Sequence, residues 1–321
     1  MGERQMGSEQ KARGPKRRWL TGAGLLTAII ALGLGLEIIE PPADAATEQA
    51  PMFEVDPLWP KPLPNHWLLG SAIGVGVDSR DHVFVIHRRQ SFNTRTEIGA
   101  AMDPPTGDCC LPAPNILEFD PEGNLVNSWG GPGEEYEWPS SNHGLTVDPK
   151  DNIWIGGNGR GDSHILKFTR DGKFLAQYGA PGMEANSNTT EHFGRVAKIS
   201  FNAKGDEAYV SDGYTNKRVA VLDSETGAVK RFWGAYGNKP DDADLGPYDP
   251  DAPLVQQFRN PVHCAEPSND GLVYVCDRAN DRIQVFREDG TFVTEKQIAP
   301  RTLGDGSTWD IAFSKDPDQT Y

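Results

Sequence analysis

The chain has 321 residues, among them 35 glycines, 25 prolines and a scatter of 8 Trp, 8 Tyr and 13 Phe. Turn formers in that number beside dispersed aromatics favour many short strands over long helices. The formal net charge is −15, and a body this acidic excludes phosphate-backbone binding, which needs clustered Lys and Arg, so no nucleic-acid partner is expected.

At the N-terminus, Lys11, Arg13, Lys16, Arg17 and Arg18 precede an uncharged, mostly apolar run from Leu20 to Leu36, and Ala43-Asp44-Ala45 offers a small-x-small cleavage site. The pattern predicts a leader over residues 1–45, either a cleaved signal peptide or an N-terminal membrane anchor. The body, 46–321, is thereby expected to be exported, periplasmic or secreted, where disulfides are permitted. Cys264 and Cys276 lie six residues to either side of a turn centred near Asp270. Antiparallel pairing there brings them face to face, as a bridge requires. Cys109 and Cys110 are adjacent, and their state is not legible from sequence.

Beyond the leader, one unit recurs: alternating apolar strand, short Asp/Asn/Gly turn, second strand ending near an Asp, third strand, Gly turn, fourth strand. The first copy runs from Val75 to Trp129 and is stretched by a Pro-rich insertion around Arg89 to Pro114. The second covers Leu145 to Leu175, and the clearest two contain Ala208–Leu222 and Leu272–Phe286. A fifth begins at Trp309-Asp-Ile-Ala-Phe313. Asp120-Pro-Glu-Gly123, Arg170-Asp-Gly172 and Glu288-Asp-Gly290 occupy equivalent hairpin turns. Gly-rich links carrying Tyr136, Phe193 and Phe258 join the units, each aromatic placed to pack between neighbouring sheets.

The two clearest copies share Asp-x-x-Asn-x-Arg spacing ahead of a strand: Asp212, Asn216 and Arg218, then Asp277, Asn280 and Arg282, the second copy one residue tighter. This resembles the NHL repeat, in which each unit forms one four-stranded propeller blade. The expectation is therefore an all-β, six-bladed NHL-type β-propeller. A propeller closes its ring to protect strand edges. On that ground the chain is expected to carry about four and a half blades and to lack its C-terminal part.

The innermost strand of each blade faces the central channel, and repeat alignment puts Ile73, His143, Lys198, His263 and Asp310 at one equivalent position. Histidines on alternate blades of a six-bladed ring, completed by one on the absent sixth blade, would form the three-imidazole set with an open position that a catalytic zinc uses. Channel-lining histidines bonded to backbone are the plainer reading.

The segments Val75–Arg88, Asn142–Asp148, Val210–Arg218 and Cys276–Gln284 resemble the peptidyl-α-hydroxyglycine α-amidating lyases, six-bladed propellers that split a carbinolamide into an amide and glyoxylate. The resemblance implies that His143 and His263 are zinc ligands and that Tyr214 takes the substrate hydroxyl proton. It also implies that Arg88 and Arg278 hold the substrate, and that the backbone carbonyls of Val75 and Leu145 bind a structural calcium. The chemistry is consistent: a zinc-bound hydroxyl loses its proton more readily, and planar guanidinium forks grip a carboxylate. The expected partner is a small-molecule or peptide substrate, and the full-length protein is expected to be a monomer. The alternative is a non-catalytic NHL propeller that binds protein or glycan ligands through its faces.

Overall fold

The structure, a computed structural model, describes residues 52–92 and 97–321. Val55–Tyr321 form one compact unit. After a two-residue strand β1 (Trp67–Leu68), the first blade is built from β2 (Ser71–Val77), β3 (Val83–Arg88), β5 (Ile116–Phe119) and β6 (Leu125–Trp129). The Pro-rich insertion between β3 and β5 carries β4 (Leu111–Pro112), which pairs in parallel with β1. The second blade comprises β7 (Asn142–Val147), β8 (Ile153–Gly157), β9 (His164–Phe168) and β10 (Phe174–Gly179). The third holds β11 (Val196–Phe201), β12 (Glu207–Asp212), β13 (Arg218–Asp223) and β14 (Val229–Trp233). The fourth holds β15 (Val262–Pro267), β16 (Leu272–Asp277), β17 (Arg282–Arg287) and β18 (Phe292–Gln297).

Each blade is an antiparallel meander, and the first strands β2, β7, β11 and β15 neighbour one another in succession. This is an all-β propeller arrangement; the helical pieces among the described residues are three-residue 3₁₀ turns. The hairpin turns close as the sequence predicts, with Gly123, Gly172 and Gly290 at φ 79°, 85° and 91°, a region glycine enters without a Cβ penalty.

Apolar alternation along the strands supplies a core between each pair of blades. Phe84, Ile86 and Ile116 of the first blade meet Leu145, Ile155 and Phe168 of the second. Phe193 is buried with Trp154 and Val210 between blades two and three, and Phe258 with Tyr209 and Phe286 between three and four. Each such side chain contributes on the order of 1.5–3 kcal/mol on burial. The linker aromatics therefore bind successive sheets together, Tyr136 joining the first of these clusters from a half-buried position.

The Asp-Asn-Arg signature is structural. Arg218 and Arg282 are fully buried, and each Nε donates to its own aspartate, Asp212 or Asp277, at 2.8 Å. Their remaining N–H groups reach linker carbonyls: Arg218 donates to Ser187 and His192, both at 3.0 Å, and Arg282 to Val255 at 3.0 Å and Gln257 at 2.8 Å. Buried charge is tolerable only when paired and fully hydrogen-bonded, and here it fastens each inter-blade link to its sheet.

Three expectations change. The stretch Trp309–Phe313 is not a strand: it runs beside β15 without a ladder, held by ring contact of Phe313 with Tyr274 at 5.3 Å and by side-chain bonds described below. Among the described residues no strand follows that could pair with its other side. The expectation of an exported chain with an N-terminal anchor is not upheld. Among the described residues no helix is long and apolar enough to cross a membrane. The segment 1–45 that carried the expectation lies outside those residues. Cys109 and Cys110 are bonded to each other, whereas Cys264 and Cys276 are paired across β15 and β16 as expected.

The third change concerns register. Every first strand carries a one-residue irregularity near its start. Lys198 lies opposite Ser211 just as Cys264 lies opposite Cys276, so Lys198 is the counterpart of Cys264 and not of His263. The true counterpart of the histidines is Ala197. A one-residue slip moves a side chain to the other face, and repeat alignment alone could not locate the bulge.

Candidate functional site

His143 on β7 and His263 on β15 point to one spot, with ring centroids 5.4 Å apart and mutually perpendicular. His143 Nδ1 donates to the Ala197 carbonyl at 2.7 Å, and His263 Nδ1 donates to that of Trp309 at 2.5 Å. Each histidine is thus oriented by a backbone carbonyl of the neighbouring segment, β11 for His143 and the strip beside β15 for His263. With the proton on Nδ1, both Nε2 atoms carry lone pairs. Both face the Tyr214 hydroxyl, at 3.0 Å from His143 and 3.1 Å from His263.

Two glycines permit this convergence. Gly144 has φ 68°, and a Cβ there would lie 2.7 Å from the Ala197 carbonyl that holds His143. Gly213, just before Tyr214, packs so closely on β15 that a Cβ would fall 2.0 Å from the Val262 carbonyl. Only glycine allows the loop to bring Tyr214 against the neighbouring blade. Asn260 secures it by donating to the Gly213 carbonyl at 2.7 Å.

Burial lowers the pKa of His143 to about 4, helped by His263, Arg88 and Arg278, and burial lowers His263 likewise. Both imidazoles are therefore neutral near pH 7 and available as ligands or acceptors. Arg278 lies with its guanidinium 5.8 Å from the Tyr214 ring centre and 4.1 Å from that of Trp309. Arg88 donates from Nε to the Asn142 carbonyl at 3.2 Å and from a terminal nitrogen to Asn158 Oδ1 at 2.8 Å. Its charge is felt at both His143 and Tyr214. All five side chains singled out from the sequence thus belong to one constellation.

Arg195 was not anticipated. It sits in the left-handed region at φ 68°, its guanidinium 5.6 Å from the Tyr214 ring centre, and its carbonyl accepts from the Tyr214 amide at 3.1 Å. It follows the linker aromatic Phe193 by two residues, outside the repeat signature, so no periodicity marks it.

The donor set fits a cation such as zinc. A phenol has one proton and can donate to only one of the two Nε2 lone pairs; the other faces an oxygen lone pair across about 3 Å. A bound cation removes that conflict, and imidazoles held by Nδ1–H···O=C bonds are the usual form of metal-ligating histidine. Among the described residues no third His, Cys, Asp or Glu lies close enough to share an ion with this pair.

Val75 and Leu145 border a cavity of about 120 Å³ shared with His143, His263, Lys198 and Asp310. Lys198 donates there to Glu266 and Asp310, both at 2.7 Å, and its ammonium is 3.5 Å from the Ile311 carbonyl. The two carboxylates that could serve a calcium beside the Val75 and Leu145 carbonyls are thus already paired with an ammonium. The residues present do not fit a divalent cation as arranged.

A different cluster, Asp78, His82 and Glu118, has ligand atoms within 4.8 Å of one another and is a possible metal site. Arg170 spans Asp78 and Glu118, reaching Glu118 at 2.6 Å, while His82 lies 2.7 Å from the same carboxylate. As arranged, the guanidinium supplies the cation, tying blade two to blade one.

Comparison with known proteins agrees with this architecture. No protein-family profile matches the chain. It is 25% identical over 263 residues to peptidyl-alpha-hydroxyglycine alpha-amidating lyase 1 of Drosophila melanogaster, covering 77% of this chain and 42% of that protein. It is 24% identical over 241 residues to human NHL repeat-containing protein 3, covering 74% and 57% respectively. Among solved structures, a streptogramin B lyase superposes with a TM-score of 0.44 at 13% identity, over 73% of this chain and 56% of that one. The chain spans less than two thirds of the length of these curated relatives. Taken with its four antiparallel sheets, it is an NHL-like β-propeller, distantly related to the amidating lyases.

Proposed function

We propose that the protein is a metal-dependent carbon–nitrogen lyase that cleaves a peptidyl-α-hydroxyglycine-like carbinolamide to an amide and glyoxylate. The observation that carries this reading is the Tyr214 hydroxyl set between the Nε2 atoms of His143 and His263, with arginines around it. In the reaction the substrate hydroxyl gives up its proton, its oxygen forms the aldehyde C=O, the C–N bond breaks, and the amide nitrogen takes a proton. Tyr214 is the base for the hydroxyl proton, and the same phenol can return that proton to the leaving nitrogen. Arg88 and Arg278 hold the glycolate carboxylate and orient the carbinol carbon over Tyr214. His143 and His263 would hold a zinc, which when bound acts as a Lewis acid that makes the hydroxyl more acidic.

Supporting this reading are the resemblance to the amidating lyases and the convergence of these side chains on Tyr214. The second reading is a propeller that binds protein or glycan ligands through its faces without catalysis; the match to NHL repeat-containing protein 3 carries the repeat and names no reaction. Incubating the purified chain with zinc and an N-acyl-α-hydroxyglycine separates the two. Glyoxylate release above the spontaneous rate, lost in Tyr214→Phe, is expected; release at the spontaneous rate in zinc-loaded protein overturns the lyase reading.

A further inference from the structure

We propose that Arg195, with Arg88 and Arg278, makes this a site for dianions, so that the preferred carbinolamide carries a second carboxylate on its acyl part. The substrate chemistry rests on the lyase reading above; the anion site stands on the arginines alone.

Each of the three guanidiniums is fixed through Nε to a backbone carbonyl: Arg88 to Asn142 at 3.2 Å, Arg195 to Asn158 at 2.6 Å and Arg278 to Asp305 at 2.8 Å. A carbonyl orients a guanidinium without cancelling its charge. Among the described residues no carboxylate lies within ion-pair distance of Arg88 or Arg195. Arg278 has only Asp305, at 3.8 Å, whose own side chain is 79% exposed. Asp162, the acid beside Arg195, accepts from the backbone amides of Ser140, Ser141 and Gly159.

The structural arginines are treated differently. Arg218 and Arg282 each meet an aspartate at 2.8 Å. The fold thus pairs its buried guanidiniums closely where they brace the blades, and around Tyr214 leaves Arg88 and Arg195 without an ion pair and Arg278 with one long pair to an exposed carboxylate. One carboxylate uses the two parallel N–H groups of one fork. On the lyase reading the glycolate carboxylate is held by Arg88 and Arg278, and Arg195, whose guanidinium lies 5.6 Å from the Tyr214 ring centre, is left for another anion. Its left-handed backbone is uncommon for a non-glycine residue, and that conformation carries its side chain to the Tyr214 ring.

Calorimetric titration of the full chain with succinate and with acetate tests the site without turnover. Succinate is expected to bind about tenfold or more tightly, a preference weakened by salt, lost in Arg195→Gln and largely restored in Arg195→Lys. Equal affinities in the wild type, or a preference unchanged in a folded Arg195→Gln, overturn the proposal. Should Arg195→Gln fail to fold, Arg195→Met and Arg88→Gln carry the comparison, and a preference unchanged in both overturns it. In the kinetic arm, kcat/KM for N-succinyl- over N-acetyl-α-hydroxyglycine is expected near ten and falls toward one in Arg195→Gln. Selective succinate binding without glyoxylate release from either compound supports the anion site and overturns only the lyase reading.

Discussion

The Tyr214 hydroxyl lies 3.0 Å from Nε2 of His143, although 71 residues and a blade boundary separate them. The contact exists because Gly213 lets its loop press onto β15 while Gly144 leaves the Ala197 carbonyl free to turn the imidazole. Its consequence can be divided between two assays. Tyr214→Phe removes the base and is expected to lower turnover by about 10²- to 10⁴-fold while leaving zinc bound. His143→Ala and His263→Ala are expected to lose zinc itself. Metal content of the purified variants, measured beside glyoxylate release, distinguishes the two; zinc retained in both histidine variants contradicts the ligand assignment.

Removing one member of a buried ion pair leaves the other unpaired in a dry interior. Arg282→Ala strands the Asp277 carboxylate and frees the Val255 and Gln257 carbonyls, and is expected to cost about 3–5 kcal/mol. Urea unfolding of wild type and variant measures the difference. A loss within experimental error would mean that the signature arginine does not hold the linker.

Glu207 tests the charge network on the outer part of blade three. Hydrogen bonds from Arg231, reinforced by Lys230, hold its carboxyl at about 2, below its ordinary 4.5. A depressed folded pKa means stability that is present above pH 4.5 and is lost as pH falls through about 2. The stability gap between wild type and Glu207→Gln is therefore expected to be full at pH 6 and to close progressively below pH 4.5. Denaturation midpoints across that range check it, and a gap independent of pH is the contrary result.

Lys198 makes the axial channel self-sufficient in positive charge. Burial opposes its ammonium, yet Glu266 and Asp310 raise its pKa above the ordinary value. The wild-type melting temperature is accordingly expected to be unaffected by millimolar calcium or by a calcium chelator. Lys198→Met, which leaves the two carboxylates facing each other, is expected to melt lower and to recover on adding calcium. Calcium-dependent melting in the wild type would restore the Val75 and Leu145 carbonyls as a calcium site.

The sequence by itself determined the blade. Alternating strands, Asp-Gly turns, linker aromatics and the Asp-Asn-Arg spacing are local or near-local signals, and each is repeated, so the copies reinforce one another. The cross-strand Cys264–Cys276 pair was legible for the same reason: its geometry is set within one hairpin. His143 and His263 were legible as candidates from repeat alignment, and Tyr214, Arg88 and Arg278 because the resemblance named their positions. What brought them together was decided only in three dimensions.

The first-strand bulge put Ala197 where repeat alignment had Lys198, since a single extra residue in a ladder changes which face each side chain takes. Trp309–Phe313 has strand-like alternation yet makes no ladder, because strand formation needs a partner that alternation does not supply. Arg195 enters the site through a left-handed backbone and a loop from another blade, neither of which leaves a periodic trace. Local hydrogen bonding and hydrophobic period therefore specify the sheets. The positions of the phenol, the two imidazoles and the three guanidiniums depend on contacts between blades, which no single repeat encodes.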